Sequence, residues 1–154
     1  MRAVVQRAAR ARVVVDGQAV GQIGPGLAVL LGVAVDDAEH DAQYLAHKLA
    51  RLRIFSDDTG KLNRSALELG LPALVVSQFT LLGDTTGGNR PSFTKAAPLE
   101  LGERLYRAFI VALRAEGLQV EEGIFRAMMQ FEVVNDGPVT IIIDTAERRA
   151  GGAP

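Results

Sequence analysis

The sequence predicts an α/β protein folded as a three-layer β/β/α sandwich, with elements in the order β(2)-(βα)2-β(3). Three observations predict it. A two-strand hairpin signal opens the chain, with Asp16-Gly17 between Val13-Val14-Val15 and residues 18–23. Two strand–helix units follow, each pairing an apolar strand with a helix that carries one apolar stripe. Three short β-rich runs close the chain. Helices with one stripe each cover one face of a sheet, and the simplest arrangement puts a second sheet behind it.

Taken in order, Ala3 to Arg7 reads as the first strand, and the Asp16-Gly17 hairpin leads into the second. Leu27 to Val35 is almost continuously apolar, as expected of a strand buried on both faces. Asp36-Asp37 supply an N-cap and early negative charge for a helix whose Leu45, Leu49 and Leu52 recur at helical spacing. Ser56 to Gly60 is turn-rich, and Ala66 to Leu69 fits a short helical turn. Ala73 to Leu82 is the next strand, and Gly83 to Pro91 is a loop. Pro98 opens the second long helix, Leu101, Leu105, Phe109 and Leu113 form its stripe, and Gly117 ends it. Strands are expected around Leu118 to Glu121, Met128 to Val134 and Val139 to Asp144. Residues 1–145 form one domain. Residues 146–154 hold no core side chain larger than alanine and are expected to be a flexible tail.

The 154 residues are 48% apolar and 23% charged, enough for a core and a solvated surface. No apolar run is long enough to span a membrane, and no signal peptide is expected. Cysteine is absent, which excludes disulfides, zinc thiolates and cysteine nucleophiles and fits a cytoplasmic protein. The net charge of −1 argues against a broadly basic nucleic-acid surface and leaves room only for a local patch. Candidates for that patch are Lys48, Arg51, Arg53, Lys61, Arg64, Arg90 and Lys95. His40 and His47 stand about 10 Å apart along a helix, too far to share a metal ion. Asp57-Asp58 and Asp84 sit in turns that already explain them. No metal site and no cofactor are expected.

Two stretches carry the chemistry. Ala73-Leu74-Val75-Val76 is followed by Ser77-Gln78-Phe79-Thr80, which places hydroxyl, amide and hydroxyl groups in an apolar segment. As a strand it puts Val75, Ser77, Phe79 and Leu81 on one face and Val76, Gln78 and Thr80 on the other. Read alone, it fits either a site or a strand emerging into solvent. The second stretch is Asn135-Asp136-Gly137-Pro138-Val139-Thr140, which read alone is an ordinary turn between strands.

Together these stretches resemble the signatures of the D-aminoacyl-tRNA deacylases. Ser77-Gln78-Phe79-Thr80-Leu81 is similar to the family's first signature. Asn135 to Thr140 is similar to its second, which contains a Gly-cisPro dipeptide. Gln6-Arg7, Gly87, Arg90-Pro91-Ser92-Phe93, Gly123, Phe125 and Met129 extend the likeness over residues 1 to 144. Gly83 and Thr86 depart from the pattern, where the family often has alanine and a basic residue.

The resemblance implies the family's β/β/α fold and a homodimer with its active site at the subunit interface. It implies hydrolysis of the ester of D-aminoacyl-tRNA, with glycyl-tRNA mischarged on alanine tRNA as a second substrate. The partner is the aminoacylated 3′ end of tRNA, with no DNA and no membrane. Ser77, Gln78, Phe79 and Thr80 would be catalytic, acting through backbone N–H groups and the 2′-hydroxyl of the terminal adenosine. Gly137-Pro138 would reach into the other subunit's site and occupy the space of an L side chain, braced by Arg7, with Asn135 among the residues of substrate binding and chiral selectivity. Phe125 and Met129 read first as core residues, and by family position they line the adenosine pocket. The alternative is a non-catalytic module on the same fold that binds the tRNA 3′ end. A serine or threonine hydrolase of other esters lacks a visible base beside Thr80.

Overall fold

The computed structural model describes residues 1–150. Strand β1 (Arg2–Val15) is its spine. The first half of β1 pairs antiparallel with β3 (Gly26–Gly32), and the second half pairs with β2 (Gln18–Ile23). β6 (Ala73–Ser77) lies parallel to β3, and β7 (Val120–Glu122) lies parallel to β6. β8 (Gln130–Asp144) runs antiparallel along both halves of β1.

Alternation along the strands builds two cores. Leu27, Val29 and Leu31 of β3 and Ala73 and Val75 of β6 face helices α1 (Glu39–Ala50) and α3 (Leu99–Ala115). The helix side chains that meet them are the predicted stripes, Leu45 and Leu49 from α1 and Leu105, Phe109 and Leu113 from α3. Ala28, Leu74 and Val76 point the other way. They meet Ala11 and Val13 of β1 and Ile23 of β2, with Phe131 and Val133 of β8 packed alongside. The second half of β1, β2 and the first half of β8 are therefore the outer β layer. The three-layer β/β/α expectation holds.

Several boundaries differ from the sequence reading, each for a physical reason. The segments Ala3 to Arg7 and Val13 to Val15 are one strand. Register shifts against β8 between Gln6 and Arg10 let β1 bend between layers without breaking. The two expected closing strands after Met128 are likewise one strand, from which residues 136–139 bulge. Asp37 is not the cap of α1. Its carboxylate takes the Met1 ammonium at 2.5 Å and the Ala34 N–H at 2.6 Å, while Asp41 accepts from the Ala38 N–H. Residues 55–64 form a small hairpin of β4 (Phe55–Ser56) and β5 (Leu62–Arg64), ahead of the short helix α2 (Ala66–Leu69). The flexible tail expected from residue 146 is helical at its start, as α4 (Thr145–Ala150). The Arg148 guanidinium lies 4.3 Å from the centre of the Tyr44 ring on α1. Residues 151–154 of that expected tail lie outside the described residues.

Candidate active site

The first stretch leaves the sheet at Ser77. Beyond it the chain does not continue as a strand but turns into a 3-10 helix over Phe79–Leu82, so the predicted alternation of faces ends at Ser77. Gln78 anchors the change by donating its N–H to the Leu31 carbonyl at 2.8 Å. Leu81 N–H then returns to the Gln78 carbonyl at 3.3 Å and Gly83 N–H to the Thr80 carbonyl at 3.0 Å. The first N–H groups of such a turn have no acceptor within it. Here these belong to Phe79 and Thr80. Close packing holds the turn against β3: a Cβ on Gly32 would stand 2.5 Å from Leu82 Cδ2 and 3.0 Å from the Gln78 carbonyl oxygen. Arg2 supports the turn from β1, donating to the Leu81 carbonyl at 2.8 Å.

A cavity of about 260 Å³ opens beside this turn. Among the sequence-predicted residues it brings together Ser77, Phe79 and Phe125. Phe125 rests on Tyr106 of α3, ring centres 5.7 Å apart. The Tyr106 hydroxyl donates to the Val75 carbonyl at 3.0 Å, and burial pushes its pKa up, so the phenol stays protonated under that ring. Phe79 is 57% exposed and meets Phe93 edge to face, centroids 5.1 Å apart, which ties the Arg90-Pro91-Ser92-Phe93 stretch to the cavity mouth. Gln78 and Thr80 are not among the residues that line the cavity. The Gln78 amide donates to the Thr80 hydroxyl. An amide donor fixes that hydroxyl without drawing its proton away.

Met129 does not line this cavity. It packs in the outer core instead, above Gly123, whose added Cβ would stand 2.7 Å from Met129 Sδ. Sequence reasoning missed Leu99 and Gly102 of α3 and Arg126, all of which line the cavity. Leu99 and Gly102 look like ordinary helix residues in the sequence, and Arg126 like a surface cation. A larger open groove, about 980 Å³, lies between Arg10–Arg12 and Phe131–Val134 and contains none of the predicted site residues.

The second stretch forms a braced bulge at the other end of the sheet. The Asn135 side chain accepts the Val139 N–H at 2.8 Å and donates to the Thr140 hydroxyl at 3.0 Å. Gln6 donates to the same hydroxyl at 3.2 Å. The Gly137-Pro138 bond is cis, as the resemblance implies. Arg7 donates through Nε to the Asp136 carbonyl and through a terminal nitrogen to the Ile54 carbonyl, each at 2.9 Å. Its guanidinium leaves no room beside Gly137, where a Cβ would stand 2.8 Å from an Arg7 nitrogen and 2.9 Å from Val139 Cγ2. Gly137 also has φ +133°, and Gly137 and Pro138 are both exposed.

The two stretches do not meet within one chain. Ser77 is in register with Leu31, Leu31 with Ala3 and Ala3 with Ile143. The bulge lies between the Gln6–Thr140 and Ala8–Asn135 pairs, level with Leu27. That separation is about 13 Å along the strands and about 14 Å across three strand spacings.

The other candidates are engaged elsewhere. Asp84 accepts from Lys95 at 2.8 Å and from Thr86, contacts that hold its pKa well below the usual carboxylate range. His40 lies 3.5 Å from Asp41 and His47 3.2 Å from Glu116, both exposed on α1. Among the described residues, no group of three or more His, Asp or Glu is placed to hold a metal ion.

Fold and site define a class: a β/β/α protein with a pocket bordered by aromatic rings and by a turn of exposed backbone donors. The family model for D-Tyr-tRNA(Tyr) deacylase matches residues 4–144. A D-aminoacyl-tRNA deacylase of Anaeromyxobacter dehalogenans is 60% identical over 145 residues, covering 94% of this chain and 97% of that protein. One from Deinococcus radiodurans is 58% identical over 144 residues, covering 94% and 99%. The chain belongs to the D-Tyr-tRNA(Tyr) deacylase family. Among solved structures, one titled c-Myc DNA Unwinding Element Binding Protein superposes with a TM-score of 0.87 at 40% identity, covering 94% of this chain and 98% of that one. A probable eukaryotic D-amino acid tRNA deacylase superposes at 0.81 with 17% identity, over 92% and 97%, a likeness of fold alone.

Proposed function

We propose that this protein hydrolyses the ester of D-aminoacyl-tRNA in the cavity beside the Phe79–Leu82 turn. The observation that carries the reading is that turn, which leaves the Phe79 and Thr80 N–H groups without an acceptor inside it and whose Phe79 lines a cavity shared with Phe125. The terminal adenosine lies against Phe125, and the ester carbonyl points at the two N–H groups. Water attacks the carbonyl carbon, and negative charge grows on the oxygen that those donors hold. The neighbouring ribose hydroxyl of the substrate takes a proton from the attacking water and gives its own to the leaving oxygen as the carbon–oxygen bond to the ribose breaks. Ser77 and Gln78 shape the pocket. Thr80 positions water and is not the nucleophile.

Chirality is read by a second copy of the chain. The bulge lies too far from Ser77 to serve its own pocket, and Gly137 and Pro138 are exposed and braced from behind by Arg7. In a homodimer, the second copy's Gly137-Pro138 occupies the space that an L side chain needs. A D-amino acid or glycine puts nothing bulky there, so glycyl-tRNA mischarged on alanine tRNA is also a substrate. The protein works in the cytoplasm, where aminoacyl-tRNA is made and used.

The test is hydrolysis of D-tyrosyl-tRNA beside L-tyrosyl-tRNA by catalytic amounts of the protein. Rapid loss of the D ester with the L ester spared is expected. Loss of both discards the steric filter. Survival of both, with tRNA still bound, favours a non-catalytic module that binds the 3′ end.

A further inference from the structure

Arg126 occupies a backbone position that suits glycine. The Ala127 N–H donates to the Ile124 carbonyl at 3.1 Å, closing a four-residue turn. Arg126 is its third residue, with φ +67°. Phe125, its second, is absent from the short set of residues with positive φ. That order, negative then positive φ, belongs to a type II turn, whose third residue is normally glycine or asparagine. An arginine there carries a backbone penalty that a surface cation elsewhere avoids.

The arginine stands at the cavity wall beside Phe125, with an exposed side chain. Of the arginines that brace the two motifs, Arg2 is committed to Asp144 and the Leu81 carbonyl, and Arg7 to Ile54 and Asp136. Arg126 makes no hydrogen bond or ion pair among the described residues. A flat aromatic wall with an unpaired guanidinium beside it matches a base followed by a phosphodiester.

Building on the function proposed above, we propose that Arg126 binds a backbone phosphate next to the terminal nucleotide of tRNA and so positions the 3′ end. It touches no reacting atom. Its contribution falls on substrate binding, and it scales with salt as a single phosphate contact does.

The test uses Arg126→Gly, which restores the residue the turn prefers, so loss of folding does not obscure the result. Binding of uncharged tRNA to both proteins is measured across a salt series. Expected for the variant are about tenfold weaker binding at low salt and a log–log salt slope shallower by about 0.7. Arg126→Lys keeps the charge and recovers most of the slope, whereas Arg126→Gln does not. Equal slopes for the original protein and Arg126→Gly overturn the proposal. Hydrolysis of D-aminoacyl-adenosine, which has no phosphate, adds a second readout. The KM of the variant should rise less for D-aminoacyl-adenosine than for D-aminoacyl-tRNA, and an equal rise for both substrates assigns the whole effect of Arg126 to the cavity wall and overturns the phosphate contact. If the original protein binds tRNA with the expected slope difference yet hydrolyses no D-aminoacyl-tRNA, the hydrolase reading falls while the phosphate contact stands.

Discussion

The Ser77–Leu82 turn and the Asn135–Thr140 bulge are both short polar interruptions of apolar strands, yet they are built in opposite ways. The turn is folded inward. It is pinned to β3 through Gln78 and Gly32, and its side chains Ser77 and Phe79 join a cavity shared with Phe125. The bulge is braced from behind, by Arg7, Gln6 and Asn135, and its outer residues Gly137 and Pro138 border neither of the two cavities described above. A polar segment that completes a pocket and one that is held out from the sheet serve different partners. In the proposed function the first takes the ligand, and the second meets another copy of the same chain.

Four variants, the last read across pH, break or sharpen this contrast. The largest effect is expected from Gly102→Phe, which drives a ring from α3 into the cavity. Activity on D-aminoacyl-tRNA should fall about 1,000-fold, or about 4 kcal/mol of transition-state binding, while the Gly137-Pro138 bulge is untouched. Steady-state kinetics with a circular-dichroism check of folding measure this, and near-normal turnover places the chemistry elsewhere.

Gly137→Ala attacks the other region. The methyl group meets Arg7 and Val139 at under 3 Å in a backbone conformation that L side chains rarely adopt. Displacing the bulge should lower kcat/KM for the D ester about 100-fold, with binding of uncharged tRNA unchanged. Unaltered kinetics remove the bulge from the site.

Thr80→Ala separates the roles within the turn. The backbone N–H groups survive the change and only a hydroxyl held by Gln78 is lost, so activity should stay within about tenfold, a modest loss for one hydrogen-bonding group. Abolished turnover with intact folding and tRNA binding makes Thr80 the nucleophile.

The smallest effect concerns the hairpin next to Arg7. Hydrogen bonds from Thr59 and Lys61 hold the Asp57 carboxyl down to about 2, from an ordinary value of 3.8. A depressed carboxyl stabilises the fold above its unfolded value. That contribution is present above pH 4 and is lost as pH falls towards 2. Asp57→Asn should therefore lower Tm slightly at pH 7, and the gap should close near pH 2. A gap independent of pH assigns the effect to packing.

Much of the architecture was legible in the sequence. Asp16 and Gly17 take φ of 49° and 78°, as their hairpin requires. Leu45 and Leu49 of α1, the stripe of α3 and Leu27 to Leu31 of β3 lie where periodicity places them, whereas α1 ends before Leu52 and β3 ends at Gly32, short of Val35. What escaped depends on contacts between distant segments. Nothing local tells that Asp37 holds the N-terminus, that Ser77 ends its strand because Leu31 captures Gln78, or that β1 bends without a break. In the site, Ser77, Phe79 and Phe125 converge, whereas Met129 turns into the outer core above Gly123. Gly102 was invisible because its value is an absent side chain facing a cavity. Arg126 was invisible because its signal is a φ angle.

The most direct measurement mixes two inactive proteins. Gly102→Phe has a blocked pocket and an intact bulge, and Gly137→Ala has the reverse. Unfolded together, refolded together and assayed on D-tyrosyl-tRNA, they would form, in the proposed homodimer, mixed pairs with one intact pocket facing one intact bulge. If the bulge serves the neighbouring subunit, activity returns to about a quarter of the normal level, as random pairing of two subunits gives. If activity stays at the sum of the two variants alone, the bulge does not act across the dimer and the interface site is contradicted.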